Sequence, residues 1–143
     1  MTVRTILEGK GRDVVTLTAD QTIESAIRTL AEYRIGALVI TSGEGRIEGI
    51  FSERDVVRVL AAKGADALAM PISSAMTSKV RTCHQGNTIN DVMELMTAGR
   101  FRHLPVEDGG ILIGIISIGD VVKQRISDVE QEAEAIRSYI TAA

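Results

Sequence analysis

The residues of this chain best suited to chemistry are two serine–aspartate pairs at one spacing, Ser52 with Asp55 and Ser117 with Asp120. Each ends a stretch that opens on glycine: Gly49-Ile50-Phe51-Ser52-Glu53-Arg54-Asp55, and sixty-five residues later Gly114-Ile115-Ile116-Ser117-Ile118-Gly119-Asp120. A carboxylate accepts two hydroxyl donors at once, so such a pair at a strand-to-helix corner suits the vicinal hydroxyls of a ribose. The same residues also serve a helix, because the serine caps it and the aspartate meets the positive end of its dipole. One copy needs no more than capping. Two copies in matching surroundings call for more. Arg102 and His103 open a second strand-like run, Leu104-Pro105-Val106, where a guanidinium and an imidazole can meet phosphate oxygens. The plain alternative for Arg102 is a solvated rim charge. Ile50 and Ile115, two positions before each serine, can sandwich a flat base.

Catalytic groups are scarce by comparison. His84 and His103 are the only histidines, and no His, Cys and Asp cluster has metal-ligand spacing. Cys83 reads as a small buried hydrophobe, and as the sole cysteine it suits a reducing compartment. Gly9-Lys10-Gly11 and Gly43-Glu44-Gly45 lack the third glycine and following helix of a nucleotide loop. A net charge of −3 and an aromatic content of 3% argue against a nucleic-acid partner. With no leader-like start and no apolar run near about 20 residues, a cytoplasmic protein without a membrane partner is expected.

The positioning elements come in duplicate. Thr16 falls on Thr82, Thr22-Ile23 on Thr88-Ile89, Leu30 on Met96, Leu38 on Leu104 and Ile40 on Val106, all sixty-six apart. Each copy reads β-α-β-β-α. In the first, strands are expected at 14–17, 36–40 and 47–51, with helices at 22–34 and 56–62. In the second, strands are expected at 80–83, 103–106 and 111–117, with helices at 88–99 and from 120 onward. The resulting organisation is an N-terminal helix (1–12), repeat one (13–65), a connector (66–78), repeat two (79–128) and a C-terminal helical extension (129–143). The fold class is α/β, in the mixed α+β sense. Neither half can close its own small sheet, so the two are expected to pack with pseudo-twofold symmetry. In the last helix, Val122, Ile126, Val129, Ala133, Ile136 and Ile140 form a heptad-like seam. Its first turns, to about Val129, are expected to cover the sheet, and the rest has no evident partner within the chain.

The duplicated Thr-Ile, apolar strand and Gly-x-x-Ser-x-x-Asp pattern, with Arg102-His103-Leu104-Pro105-Val106 in the second copy, resembles a tandem pair of CBS domains, the Bateman module. The resemblance covers nearly the whole chain. It implies a non-enzymatic regulatory sensor of adenine nucleotides (AMP, ADP or ATP), with S-adenosylmethionine or NADH as alternatives, bound in the cleft between the repeats. It also implies a homodimer and no cofactor apart from that ligand. Residue by residue, it implies one site from Ser52, Asp55, Thr82, Arg102 and His103. A second would come from Ser117, Asp120, Thr16, Gly36 and Ala37, with Arg54 reaching phosphate. The second lacks the cations of the first, so unequal affinity is expected, the Ser52–Asp55 site being tighter. Most members of the family are attached to an enzyme, channel or transporter, so this chain is expected to act in trans on an unknown effector protein. Two rivals remain. One is an enzyme related to inosine monophosphate dehydrogenase, against which stands the missing barrel of about 250 residues. The other is an interaction scaffold with vestigial sites.

Overall fold

In a computed structural model that describes residues 1–142, the chain runs α1 (Val3–Lys10), β1 (Thr16–Leu17), α2 (Ile23–Tyr33), β2 (Ala37–Thr41), β3 (Ile47–Ser52), α3 (Glu53–Lys63), α4 (Ile89–Gly99), β4 (His103–Asp108), β5 (Ile111–Ser117) and α5 (Ile118–Ala142). Two short 3-10 turns, Gly64–Ala69 and Ile72–Ser74, make up most of the connector. The mixed α+β reading holds, with β1, β2 and β3 in one sheet and β4 and β5 in another. The second repeat departs from expectation at its first strand. Residues 80–83 form no strand, and only Cys83 bridges Val106, its N–H donating to the Pro105 carbonyl at 3.0 Å. Cys83 is the sole fully buried side chain of that stretch, which leaves little apolar burial to hold a longer ladder.

By their internal contacts the described residues divide into two units, each discontinuous in sequence. One comprises Asp13–Thr82 with Glu107–Ile113. Its core gathers Ile23, Ala26 and Leu30 of α2, Leu38 and Ile40 of β2, Phe51 of β3, Val59 of α3, and Ala67 and Ile72 of the connector. β2 is buried at every position, which is why it reads as an unbroken apolar run rather than an alternation. It pairs in parallel with β1 (Thr16 with Val39) and antiparallel with β3 (Ala37 with Ser52, Val39 with Ile50). Thr22 caps α2 as its composition predicts, accepting from the Ser25 N–H at 3.1 Å. Arg34 ends the helix in the left-handed region at φ 53°. Residues 107–113 join this unit through the Leu112 N–H on the Gly45 carbonyl (3.1 Å) and the Ile47 N–H on the Gly110 carbonyl (3.3 Å).

The other unit comprises Met1–Arg12, Cys83–Val106 and the chain from Gly114 onward. α1 buries Val3, Ile6 and Leu7, and its first N–H groups donate to the Asn87 and Gln85 carbonyls at 2.9 and 3.1 Å. α4 buries Ile89, Val92 and Met96 behind a reciprocal cap between Thr88 and Asp91. The cap's hydrogen bonds, chiefly from the Thr88 backbone, hold the Asp91 carboxyl below its usual range. Gly114 is where α1 touches β5: a Cβ there would lie 2.7 Å from Leu7 Cδ2.

α5 corrects one expectation. Its apolar seam does not cover the sheet as far as Val129, for Val122, Ile126 and Val129 are all exposed, Ile126 by 56%. Val121 is buried, but the partly covered side beyond it carries Gln124 and Asp128, hydrogen-bonded to each other at 2.9 Å. The covered side of this helix is polar after one turn, and its apolar stripe faces outward.

Candidate functional site

At the first corner, β3 delivers Ser52 in extended conformation directly into α3. The Ser52 hydroxyl accepts from the Asp55 N–H (3.4 Å), and Asp55 Oδ2 accepts from the Ser52 N–H (3.0 Å) and hydroxyl (3.2 Å), a reciprocal cap. Asp55 Oδ1 accepts from Arg58 Nη1 at 3.0 Å and from the Thr77 hydroxyl at 3.4 Å. The residue is 3% exposed. Both carboxylate oxygens are therefore served by protein donors, and two of those donors are hydroxyls. In this arrangement Asp55 caps and cross-links; the open diol acceptor expected there is already filled.

The second corner is built alike but filled differently. β5 delivers Ser117 into α5; Asp120 Oδ2 accepts from the Ser117 N–H at 2.9 Å, and the Asp120 N–H donates to the Ser117 hydroxyl at 3.2 Å. A further contact is Lys10, the last residue of α1, whose Nζ donates to Asp120 Oδ2 at 2.7 Å and to the Ile115 carbonyl at 3.0 Å. The Asp120 side chain keeps 25% of its surface exposed. Burial pushes its carboxyl up, but the hydrogen bond and charge of Lys10, with the Ser117 contacts, outweigh it and hold the group below the ordinary value.

The two corners are equivalent down to the entering chain. In the repeat offset, Met76-Thr77 stands where Lys10-Gly11 stands. One entering segment brings a hydroxyl to Asp55 and the other an ammonium to Asp120. Likewise the Glu53 N–H donates to the Gly36 carbonyl at 3.0 Å, and the Ile118 N–H to the Arg102 carbonyl at 2.8 Å. Gly36 and Ala37 thus lie beside Ser52, and the Arg102 backbone lies beside Ser117 at the start of α5. The expectation that the Ser117–Asp120 corner has only Arg54 as a cation is corrected by Lys10. Arg54 stands exposed in the first turn of α3, Thr16 is an exposed residue opening β1, and His103 opens β4. Thr82 lines an open cavity of about 240 Å³ with Arg46, Ser78 and Glu107.

Three contributors escaped the sequence. Arg58 lay within reach, three residues after Asp55 on one helix face. Thr77 and Lys10 act 22 and 110 residues from their aspartates, and no spacing rule joins them. Among the described residues, no group of three or more His, Cys, Asp or Glu could hold a metal ion, and no helix is long and apolar enough to cross a membrane.

The profile of the CBS domain matches twice, at residues 10–62 and 72–127. The chain belongs to the CBS-domain family. Its structure is similar to that of a CBS-domain containing protein of Agrobacterium tumefaciens, with a TM-score of 0.84, 50% identity and coverage of 87% of this chain and 99% of that one. A CBS domain protein of Pyrobaculum aerophilum, solved in complex with AMP, matches at a TM-score of 0.75 and 28% identity over 84% of this chain and 89% of its own. A mitochondrial CBS domain-containing protein of Arabidopsis thaliana is 30% identical over 97% of this chain and 71% of its own length. Inosine-5'-monophosphate dehydrogenase of Methanocaldococcus jannaschii is 32% identical over 80% of this chain, but that match takes in only 22% of the enzyme.

Proposed function

We propose that this CBS-domain pair is a regulatory module without catalytic activity that binds an adenine nucleotide, its ribose hydroxyls donating to Asp120, and that acts in trans on an effector protein. The observation that carries the reading is the Ser117–Asp120 corner, where an ionised carboxylate remains part-exposed beside a cation. Donor chemistry favours that corner over Ser52–Asp55, whose carboxylate already has four donors. This reverses the order of affinity expected from the sequence. On the family resemblance Thr16, Gly36 and Ala37 complete this site and Arg54 reaches its phosphate, while Arg102 and His103 go with Ser52 and Asp55; Ile115, two positions before Ser117, is assigned to the base. The AMP bound to the Pyrobaculum relative supports the ligand class.

The module acts as a homodimer through α5, whose outward stripe repeats at heptad spacing and so fits a second copy of itself. Calorimetric titration of AMP, ADP, ATP, S-adenosylmethionine and NADH into wild type and Asp120→Asn tests the reading. A nucleotide that binds wild type and loses at least about tenfold in Asp120→Asn supports it, since charge-assisted bonds contribute about 1.5–3 kcal/mol each. No binding by any of the five would leave the scaffold reading in its place.

A further inference from the structure

Lys10 has a geometry that helix packing does not require. Its Nζ lies 2.7 Å from Asp120 Oδ2 and 3.0 Å from the Ile115 carbonyl, so it fills two acceptors at the corner assigned above to ribose and base. α1 is anchored independently by Val3, Ile6 and Leu7, with Leu7 seated against Gly114. The side chain can therefore leave Asp120 without the helix moving, since a lysine ammonium sits on a flexible four-carbon stem.

We infer that Lys10 is a charge filter at the Asp120 corner, selecting adenosyl ligands that carry an anionic group over neutral or cationic ones. This rests on the reading that ribose binds Asp120. A diol donating to that carboxylate displaces or shares the ammonium, and displacement leaves a partly covered cation without its counter-charge. A phosphate on the same ligand restores a partner to Lys10, with the charge-assisted geometry that ammonium and phosphate oxygen favour. A neutral nucleoside restores none. A sulfonium, as in S-adenosylmethionine, adds repulsion between like charges. The equivalent position in the other repeat is occupied by Met76, with the Thr77 hydroxyl on Asp55, so the filter belongs to one corner only.

The test titrates AMP, adenosine, S-adenosylmethionine and inorganic phosphate into wild type, Lys10→Met and Lys10→Arg. Asp120→Asn identifies the binding event of this corner, and thermal unfolding checks that each variant is folded. The ratio of AMP to adenosine affinity is expected to fall about tenfold in Lys10→Met, with adenosine and S-adenosylmethionine binding more tightly than to wild type. Lys10→Arg is expected to keep the wild-type ratio. Phosphate alone is expected to bind at least about a hundredfold more weakly than AMP, as the corner is specified by ribose. An unchanged ratio in folded Lys10→Met overturns the inference while leaving the nucleotide reading intact. Absence of any Asp120-dependent binding in wild type overturns both.

Discussion

The two aspartates should separate sharply when each is changed to asparagine in the absence of ligand. Asp55 uses both oxygens: Oδ2 takes the Ser52 N–H and hydroxyl at 3.0 and 3.2 Å, and Oδ1 takes Arg58 and Thr77 at 3.0 and 3.4 Å. An asparagine can turn its one oxygen to either pair, and its amide N–H groups then face the donors of the other. Two charge-assisted bonds are lost at about 1.5–3 kcal/mol each, the Arg58 bond counting for less because that side chain is mostly exposed. The loss is about 3 kcal/mol, or roughly 10 °C in Tm for a chain of this size. Asparagine at 120 can keep its oxygen on the Ser117 N–H and loses chiefly the Lys10 pair, whose partners are 35% and 25% exposed. A pair so placed is worth below about 1 kcal/mol, or roughly 3 °C. Urea unfolding and calorimetry of both variants supply the comparison. Equal losses, or a larger one at position 120, would refute the division into a structural aspartate and an available one.

Other outcomes follow from the same geometry. Because the folded Asp120 carboxyl lies below its unfolded value of about 3.9, its contribution is present above that pH and is lost as pH falls through the lower folded value. The Tm difference between wild type and Lys10→Met should accordingly shrink below about pH 4, and a gap that widens there would contradict the pairing. Gly49→Ala should cost about 1–3 kcal/mol, since its Cβ would meet Met76 Sδ at 2.6 Å and the Thr77 carbonyl at 3.0 Å; an unchanged urea midpoint would count against that close approach. Truncation after Val129 should weaken self-association measured by sedimentation at micromolar concentration. A wild type that sediments only as monomer would remove the dimer.

Much of the architecture was legible because local chemistry and periodicity agree. Thr22 and Thr88 mark the two helix starts that the structure caps, and the aliphatic runs at 36–40 and 111–117 become β2 and β5. Residues 80–83 misled because alternation signals a strand only where a partner ladder and a buried face support it, and here Cys83 alone has both. The tail misled in the opposite sense. Heptad spacing identified the stripe from Val122 to Ile140 but not the direction it faces, and the polar pair Gln124 and Asp128 sits on the covered side. At the corners, Ser-x-x-Asp located both carboxylates, while what fills them depends on Thr77 and Lys10, residues brought in by the path of the chain. Lys10 sat in plain view inside Gly9-Lys10-Gly11, a fragment that fails as a phosphate loop and yet delivers the cation that pairs with Asp120.

The hairpin residues 107–113 contribute to the unit built mainly from residues 13–82, and this has a temporal consequence. During synthesis that unit cannot reach its final form when its own repeat has been made. It must wait until residue 113 has left the ribosome, because the backbone acceptor at Gly110 and the donor at Leu112 are not yet available to Ile47 and Gly45. A nascent chain halted after residue 82 therefore exposes the edge of β3 at Ile47, an unpaired ladder end of the kind that recruits other strands. The duplication that built this molecule left two copies of one pattern without leaving two pieces that mature separately.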